Sequence, residues 1–270
     1  MIHAYRATVT FISPLLFLHT MKKFTLLAAS FLIASSANAG IVVAHDNFDG
    51  TSAGFSAGWA TDITSVKNKP SLTNTDGNKS LTFGSNNDRA AYWKLAETQS
   101  GGIIVDFSFS YTGTLGNNDF MGLWLGDKDG PSIGLKSNCG NGSCTNDLYV
   151  RTVGTDGPWL LGSDLVAGQS HHLLGYLSKT DDSEFYNSFA AWMNPTAYEM
   201  TSLTGADKIA TGASKIKSVS EIGIRTVNID NKVKVSIDNL RVSEVPEPAS
   251  LSLFGLALAG LGLASRRKRG

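Results

Sequence analysis

Residues 103–111, IIVDFSFSY, decide the fold class, because apolar side chains recur there at every second position. The odd-numbered residues are apolar and the even-numbered residues are mostly polar. Successive side chains of a β-strand point to opposite faces of a sheet, whereas a helix repeats its apolar positions roughly every three to four residues. The stretch therefore predicts a strand with one buried face and one solvated face.

A second alternating stretch, KVKVSIDNLRV at residues 232–242, changes parity in its middle. Its apolar side chains are odd-numbered up to Ile237 and even-numbered from Leu240 onward. A β-bulge places one extra residue in a strand and so returns the later side chains to the original face. We therefore expect a bulge near Asp238 and Asn239.

Short segments of the same kind run through the middle of the chain, and helical periodicity is almost missing. Turn signals rich in Asp, Gly and Pro separate them, at 76–77, 129–131 and 156–158. The further strands predicted in this way are 80–83, 90–95, 120–126, 148–153, 171–178, 188–193 and 221–227. Many short strands with such turns predict an all-β fold, an antiparallel β-sandwich over residues 40–244.

The charge of the chain is balanced overall but unevenly distributed. The formal net charge is zero, while residues 40–244 contain 16 Lys and Arg against 22 Asp and Glu, a net charge of −6. Nucleic-acid binding needs a basic surface that displaces the counterions of the phosphates. The acidic middle therefore argues against a nucleic-acid partner and suits a solvated, exported domain.

Residues 1–39 contain the pattern of a secretory signal peptide. A lysine pair precedes an unbroken apolar run, FTLLAASFLI at 24–33, and small residues stand at Ala37 and Ala39, where signal peptidase reads them. We expect cleavage after Ala39. We also expect translation to start at Met21, because the segment before it places a second apolar run ahead of the lysines. A buried core helix is the alternative interpretation.

Residues 245–270 contain a Pro-Glu-Pro triplet, an uncharged apolar run and a basic cluster, in that order. The two prolines of the triplet Pro246-Glu247-Pro248 continue neither a helix nor a strand, which leaves an extended segment accessible to a protease or a transpeptidase. As a helix the uncharged run at 249–265 would span about 25 Å, at the low edge for a bilayer core of ~30 Å. The basic cluster after it would stay on the cytoplasmic side.

This tail closely resembles the PEP-CTERM sorting signal. The resemblance implies processing by an exosortase-type membrane enzyme, as in exported proteins of Gram-negative bacteria that make extracellular polysaccharide. It also implies transient anchoring in the inner membrane, followed by a location in the cell envelope, at the cell surface or in the extracellular matrix. An ordinary single-span membrane anchor is the alternative.

The order of features in the middle of the chain resembles concanavalin-A-like and laminin-G-like jelly rolls. Residues 46–49, DNFD, lead into the first strand, and 168–174, GQSHHLL, match a glycine turn and a His-containing strand of these domains. Residues 189–195 are similar to their next strand and its turn, and 237–242 are similar to their closing strand. Ser170 replaces the Trp that is usual before the His. Domains of this kind bind or cleave sugars, and the fold alone does not decide between the two.

The chain has two cysteines, Cys139 and Cys144, on either side of a Gly-rich turn. In an oxidising compartment such a pair is typical of a disulfide, since the glycines let the Cα atoms approach to ~4.4–6.8 Å. We therefore predict a disulfide. A reduced pair or a metal site is the alternative, although zinc needs two further ligands and no CxxC motif or His is adjacent.

The patterns that signal catalysis give little support for an enzyme. GFSAG at 54–58 matches a nucleophile elbow, but a flexible loop is the better interpretation because no strand–turn–helix context surrounds it. Paired glycosidase carboxylates on one strand, spaced Glu-x-Asp-x-x-Glu, do not occur in the sequence. His171 and His172 would face opposite sides of a strand, so we expect packing rather than a shared metal.

Acidic and amide side chains near the two ends of the domain form a candidate calcium site. Asp46, Asn47 and Asp49 could meet Asp238, since the terminal strands of such sandwiches often pair. Oxygen ligands of this kind suit a structural Ca²⁺ at ~2.3–2.6 Å. Asp127 and Asp129 form a second small acidic cluster. Turn residues that simply face water are the alternative.

Sugar binding needs aromatic rings beside polar groups that form hydrogen bonds. Trp93, Trp124 and Trp192 lie in predicted strands and are expected in the core, whereas Trp159 follows a turn and is the best exposed candidate. Its plausible polar neighbours are Asn117, Asn118, Asp119 and Arg151.

We interpret the chain as an exported, non-enzymatic β-sandwich that associates with polysaccharide in the envelope or the extracellular matrix. The polysaccharide partner follows from the compartment and the resemblance rather than from a site. The alternatives are a hydrolase of envelope or matrix glycans and a purely structural matrix protein without a ligand.

Overall fold

The computed structural model of the chain places β6 (Gly102–Thr112), which contains the first alternating stretch, inside the larger of two antiparallel sheets. The structure describes residues 40–49, 59–60, 70–85, 87–140, 143–153, 165–229 and 232–245. The other elements are β1 (Ile41–Asp46), β2 (Trp59–Ala60), β3 (Ser71–Thr75), β4 (Asn78–Phe83), β5 (Asn87–Gln99), β7 (Phe120–Leu125), β8 (Ser132–Gly140), β9 (Ser143–Arg151), β10 (Ser170–Ser178), β11 (Ser188–Met193), α1 (Ala197–Ser202), β12 (Lys208–Thr211), β13 (Val219–Val227) and β14 (Lys234–Val245).

Two sheets of unequal size form the sandwich, and every pairing between described strands is antiparallel. The larger, 8-stranded sheet has the order β12-β11-β10-β6-β14-β4-β3, and β1 also pairs with β14. The smaller, 6-stranded sheet has the order β2-β5-β13-β7-β8-β9. The predicted all-β antiparallel sandwich is therefore confirmed.

The alternation of β6 holds residue by residue. The side chains that it buries, each at most 3% exposed, are Ile103, Val105, Phe107, Phe109 and Tyr111. They pack in one cluster with inward-facing side chains of the smaller sheet, such as Leu123, Ile133 and Ile224. Burying a large apolar side chain contributes ~1.5–3 kcal/mol, so this layer between the sheets is the main source of stability.

The expected bulge in β14 is present. The register between β14 and β6 shifts between Asp238 and Arg241, and Asn239 adopts a left-handed backbone conformation with φ 52°. Asn is one of the few non-glycine residues that visits this region readily. Because of the bulge, Ile237 and Leu240 are both buried although their sequence parity differs.

The first and last strands of the sandwich, β1 and β14, pair with each other. Ile41 is opposite Glu244 in this pair. The Glu244 carboxylate also accepts hydrogen bonds from the backbone N–H groups of Ser100 (3.2 Å) and Gly101 (3.0 Å). The first and last residues of the sandwich therefore lie at the same end of the larger sheet.

The outer face of the smaller sheet carries a glycine on each of three neighbouring strands: Gly122 on β7, Gly134 on β8 and Gly223 on β13. A β-carbon at Gly223 would overlap with the indole of Trp124, and one at Gly122 would overlap with the hydroxyl of Tyr149. Aromatic rings thus occupy the space over Gly122 and Gly223, whereas the backbone of Met121 lies over Gly134. Trp124, expected in the core, is buried in this outer layer and not in the cluster between the sheets.

A smaller apolar cluster lies on the outer face of the larger sheet. Leu174, Ala190 and Trp192 are buried there, and Leu203 packs against them. The indole N–H of Trp192 donates to the carbonyl oxygen of Thr204 (3.0 Å). The segment that follows α1 therefore covers this part of the sheet.

Several elements are not among the predicted ones: β1, β2, β3, β8, β12 and α1. Within the described ranges, no helix is long and apolar enough to cross a membrane. The predicted signal peptide at 1–39 and the predicted sorting helix within 245–270 lie outside the described residues, apart from Val245, which ends β14.

Replacing Gly223 by Ala should destabilise the sandwich. The new methyl group would lie between the Trp124 indole and the Ala91 carbonyl oxygen, only 2.8 Å from the latter. Overpacking a filled site costs ~1–3 kcal/mol, so the midpoint of urea unfolding should fall clearly. Gly84→Ala is the matched control, since no heavy atom lies within 4 Å of a methyl group there. Equal unfolding midpoints for the two variants would contradict this packing.

Candidate functional site

A cavity of about 260 Å³ opens on the outer face of the smaller sheet. Its lining combines three cationic side chains, two amides and two apolar side chains. The lining residues are Lys136, Arg151, Arg225, Asn118, Asn228, Phe120 and Val227. Ligand pockets usually measure ~300–1,000 Å³, so this cavity suits one small chemical unit rather than a large ligand.

The strand register brings these residues together although they are distant in sequence. Val227 on β13 is opposite Phe120 on β7, and Phe120 is in turn opposite Lys136 on β8. Met121, next to Phe120, belongs to the core cluster between the sheets. Because side chains alternate along a strand, Phe120 and its cross-strand neighbours face outward. One wall of the cavity is therefore a row of residues across three strands.

Arg151, at the end of β9, is held in the cavity by one hydrogen bond and two rings. Its Nε donates to the Ser132 hydroxyl (2.9 Å). Its guanidinium carbon lies 5.0 Å from the ring centre of Phe120 and 5.2 Å from that of Tyr149. Cation–π contacts contribute ~0.5–2 kcal/mol each. The guanidinium group is therefore fixed in place before any ligand arrives.

Tyr149 supports Arg151 as a neutral ring. Burial, the largest effect, raises the pKa of the Tyr149 phenol to about 12, against weaker lowering by Arg151 and Ser132. The ring centres of Tyr149 and Phe120 are 4.9 Å apart. Because the phenol stays protonated near neutral pH, it does not neutralise the charge of Arg151.

Two asparagines at the rim of the cavity adopt the left-handed backbone conformation, with φ 61° at Asn118 and 57° at Asn228. Nδ2 of Asn228 donates to the carbonyl oxygen of Asn118 (3.1 Å). The turn at Asn118 is closed by the buried carboxylate of Asp119, which accepts from the backbone N–H of Gly116 (2.6 Å). The backbone N–H of Asn118 donates to the carbonyl oxygen of Ser137 (2.9 Å). The rim is thus fixed by backbone hydrogen bonds.

Arg225 brings a second guanidinium group to the cavity. Its Nη1 donates to the Asp129 carboxylate (2.7 Å), which also accepts from Lys128 (2.9 Å). The hydrogen bond from Lys128 is the largest effect that lowers the pKa of Asp129, and the charges of Lys128 and Arg225 act in the same direction. One ionised carboxylate is therefore shared between two cations.

The predicted sugar-contact residues differ in their position relative to the cavity. Arg151 lines the cavity, and Asn117 and Asp119 flank the lining residue Asn118. Asn117 is exposed, whereas Asp119 is buried and shapes the turn. Trp159, the predicted aromatic platform, lies outside the described residues. The structure therefore joins Arg151 to the 117–119 turn and does not test Trp159.

Lys136, Arg225 and Phe120 are cavity residues that the sequence analysis does not identify. The alternation along β13 marks Arg225 as outward-facing, whereas β8, which carries Lys136, is not among the predicted strands. Which outward-facing residues share a row depends on the register between strands, which the pattern of one strand does not reveal.

The predicted calcium ligands have local hydrogen-bond partners. Asp46, at the end of β1, accepts from the backbone N–H of Phe48 (2.7 Å), and Asp238 accepts from Nδ2 of Asn78 (2.9 Å). Asn47 follows β1 and is exposed. Among the residues that the structure describes, no three His, Cys, Asp or Glu side chains are grouped so that they could hold a metal ion. The calcium site remains a prediction.

His171 and His172 lie on opposite faces of β10. His171 packs against Phe109 with ring centres 5.5 Å apart, and burial lowers the pKa of its imidazole. His172 lies on the outer face of the larger sheet, where its Nε2 contacts the Asp106 carboxylate. The two imidazoles therefore contact different partners.

The predicted disulfide partners Cys139 and Cys144 are directly opposite each other in the β8–β9 hairpin. Opposed residues of antiparallel strands have Cα atoms ~4.5–5.5 Å apart, inside the range that a disulfide requires. The side chains of both cysteines lie outside the described part of the chain, so the disulfide remains a prediction. The stretch at 54–58 and the processing positions Ala39 and 246–248 also lie outside it.

Comparison with known proteins identifies the tail. Residues 244–268 match the PEP-CTERM protein-sorting motif, as the resemblance implied. The chain therefore carries a PEP-CTERM sorting signal, which marks it as an exported, envelope-associated protein. Among curated proteins, no sequence matches the chain significantly.

Solved structures similar to the chain include several sugar-related β-sandwiches. An alginate lyase Aly36B mutant in complex with alginate trisaccharide shares 10% identity, covering 76% of this chain and 99% of its own, with a TM-score of 0.48. The Emp47p carbohydrate recognition domain shares 12% identity over 74% of this chain and 94% of its own, with a TM-score of 0.45. Domain 4 of AbnA, an extracellular arabinanase from Geobacillus stearothermophilus, shares 16% identity. The match covers 76% of this chain and 93% of that domain, with a TM-score of 0.45. Similarity at this level carries no argument about the ligand of this chain.

The raised pKa of Tyr149 predicts that stability falls between about pH 10 and pH 12. In the unfolded chain the phenol ionises near pH ~10, whereas in the folded chain it ionises at about 12. Its contribution is therefore complete below pH ~10 and is lost as the pH rises, at up to ~1.4 kcal/mol per pH unit. Tyr149→Phe should flatten this part of the profile in urea unfolding. Tyr198→Phe, on the exposed surface of α1, is the control and should keep the wild-type profile. An unchanged slope in Tyr149→Phe would contradict the assignment.

Proposed function

We propose that this protein is an exported glycan-binding protein whose cavity on the smaller sheet holds one sugar unit of a polysaccharide. The observation that carries the proposal is the fixed guanidinium group of Arg151, held against Phe120 and Tyr149 in the lining of an open cavity. Sugars present hydroxyl groups for hydrogen bonds and apolar C–H faces for packing. A pocket with apolar walls and a few well-placed polar groups has the matching surface.

The polar groups of the cavity suit a sugar because each offers hydrogen bonds in a defined direction. The guanidinium of Arg151 offers donors beyond the Nε–H already bound to Ser132. The side chains of Asn118 and Asn228 each combine a carbonyl oxygen with an NH₂ group. Phe120 supplies an apolar wall. The cavity therefore presents both donors and acceptors to a ring with several hydroxyl groups.

The sorting signal supports the same function through the cellular location that it implies. An exported, envelope-associated protein meets the polysaccharides of the cell surface and matrix. In this proposal signal peptidase cleaves after Ala39, and an exosortase-type enzyme processes the tail at 246–248 after transient anchoring in the inner membrane. The sandwich then remains in the envelope or the matrix, with Cys139 and Cys144 as a disulfide in that oxidising compartment.

Removing the two rim amides should weaken polysaccharide binding, and among the contacts described above it also removes the hydrogen bond from Nδ2 of Asn228 to the carbonyl oxygen of Asn118. Asn118→Gly with Asn228→Gly keeps the left-handed backbone, because glycine adopts positive φ freely. Each hydrogen bond lost contributes ~0.5–1.5 kcal/mol, so the dissociation constant should rise about tenfold. Affinity electrophoresis in gels that contain purified extracellular polysaccharides measures this change.

Asn239→Gly is the matched control for that double variant, since Asn239 also has a positive φ (52°) but lies in β14 of the other sheet. Its affinity should equal that of the wild type. A reducing-sugar assay on the same mixtures distinguishes turnover, which would point to a hydrolase. Failure to bind any polysaccharide would contradict the proposal and favour a purely structural role.

Truncation should separate the sorting segment from the folded sandwich. A chain that ends at Val245 keeps all of β14, so its thermal unfolding midpoint should match that of the complete chain, and it should leave the membrane fraction. A chain that ends at Asn239 loses the buried residues Leu240 and Val242 and their pairing with β1 and β6. This shorter chain should not fold, as followed by circular dichroism. Retention of the Val245 truncation in the membrane would contradict the role of the tail as anchor.

A further inference from the structure

Positive charge is concentrated at the cavity, although the domain as a whole is acidic. Residues 40–244 have a net charge of −6. Among the described residues that line the cavity there are three cations and no carboxylate. Lys136, Arg151 and Arg225 come from three different strands, so their proximity results from the fold and not from a basic run in the sequence.

Arg151 is the cavity cation that a bound anion would stabilise most clearly. Its guanidinium group makes one hydrogen bond to a neutral hydroxyl and two contacts with neutral rings. Within the part of the chain that the structure describes, no carboxylate lies within ion-pair distance of Arg151. A partly buried cation without a counter-ion carries a desolvation cost that an anionic ligand removes.

The carboxylate that pairs with Arg225 is shared with a cation outside the cavity lining. Asp129 pairs with Arg225 from outside the cavity, and it is shared with Lys128. One negative charge therefore serves two positive ones. The field in a cleft lined by one sign of charge is focused there and raises the local concentration of ligands of opposite charge.

We infer that the cavity selects an acidic sugar, a unit of the polysaccharide that bears a carboxylate or a sulfate group. The inference rests on the proposed function and adds the chemical class of the ligand. A guanidinium group binds the two oxygens of such an anion with two parallel hydrogen bonds. Lys136 supplies a compact second charge at the wall, and the asparagine amides bind hydroxyl groups of the same ring. The acidic sugar supplies the negative charge that Arg151 lacks among the described residues.

Four polymers test the charge requirement with the complete purified protein. Polygalacturonic acid carries a carboxylate on each sugar, and its carboxyl-reduced form, a galactan, keeps the linkage without the charge. Dextran sulfate and dextran form the corresponding sulfated pair. Isothermal titration at low and moderate salt should give at least tenfold tighter binding for one charged polymer than for its neutral partner. That preference should weaken as salt is raised. The pair that shows the preference identifies the anionic group.

Variants then locate the binding. Arg151→Gln should weaken binding of the preferred acidic polymer about tenfold, the loss of one charge-assisted contact, and should weaken binding of its neutral partner by clearly less. Lys136→Gln should act in the same direction and serves as a second variant if Arg151→Gln does not fold. Lys208→Gln on β12, an exposed position of the other sheet, changes the net charge equally and should bind as the wild type does.

Each other outcome contradicts a defined part of the inference. Equal affinity for charged and neutral partners overturns the selection of acidic sugars while leaving glycan binding intact. Equal weakening by Arg151→Gln and Lys208→Gln overturns the cavity as the acidic-sugar site, because the effect would then depend on net charge alone. Failure to bind any of these polymers or any extracellular polysaccharide overturns the proposed function itself.

Discussion

The sandwich depends on one strand, β14, which pairs with β6 and β4 in the larger sheet and also with β1. A strand with strict alternation would turn Leu240 outward after burying Ile237. The left-handed residue Asn239 absorbs the extra position, so both halves of β14 contribute to the same core. This core supports the inner face of the smaller sheet. The positions of the cavity residues on its outer face therefore depend on a bulge in the opposite sheet.

Glycine controls the outer face of the smaller sheet. Where Gly122 and Gly223 leave out a side chain, the rings of Tyr149 and Trp124 occupy the space above the backbone. Tyr149, kept neutral by its burial, then supports Arg151 without compensating its charge. Small residues in the sheet thus fix the position of a cation that is far from them in sequence. The proposed glycan binding and the inferred preference for acidic sugars both depend on this arrangement of ring and cation.

The sequence predicts the fold better than the site because the two depend on different information. Alternation within a single strand is a local pattern, and it predicts β6, the parity change in β14 and most central strands. β8 is harder to predict, because the polar residue Ser137 interrupts the apolar series begun by Ile133 and Leu135, and the far end of the strand carries Cys139 within a Gly-rich turn. The site depends on the register between β13, β7, β8 and β9, which is a non-local property. Arg151 is predicted as a polar neighbour of Trp159, which follows a turn. The proximity of Lys136 to Arg225, in contrast, appears only when the strands are paired.

The pairing of β1 with β14 has a consequence for how the protein is presented to its surroundings. Gly40 and Val245 lie at one corner of the sandwich, beside Glu244. Along β13, Arg225 lies six residues beyond Val219, whose partner Gln99 adjoins the Ser100–Gly101 turn bound by Glu244. Six residues of extended strand span about 20 Å. The cations of the cavity therefore lie well away from the corner at which both ends of the sandwich are found.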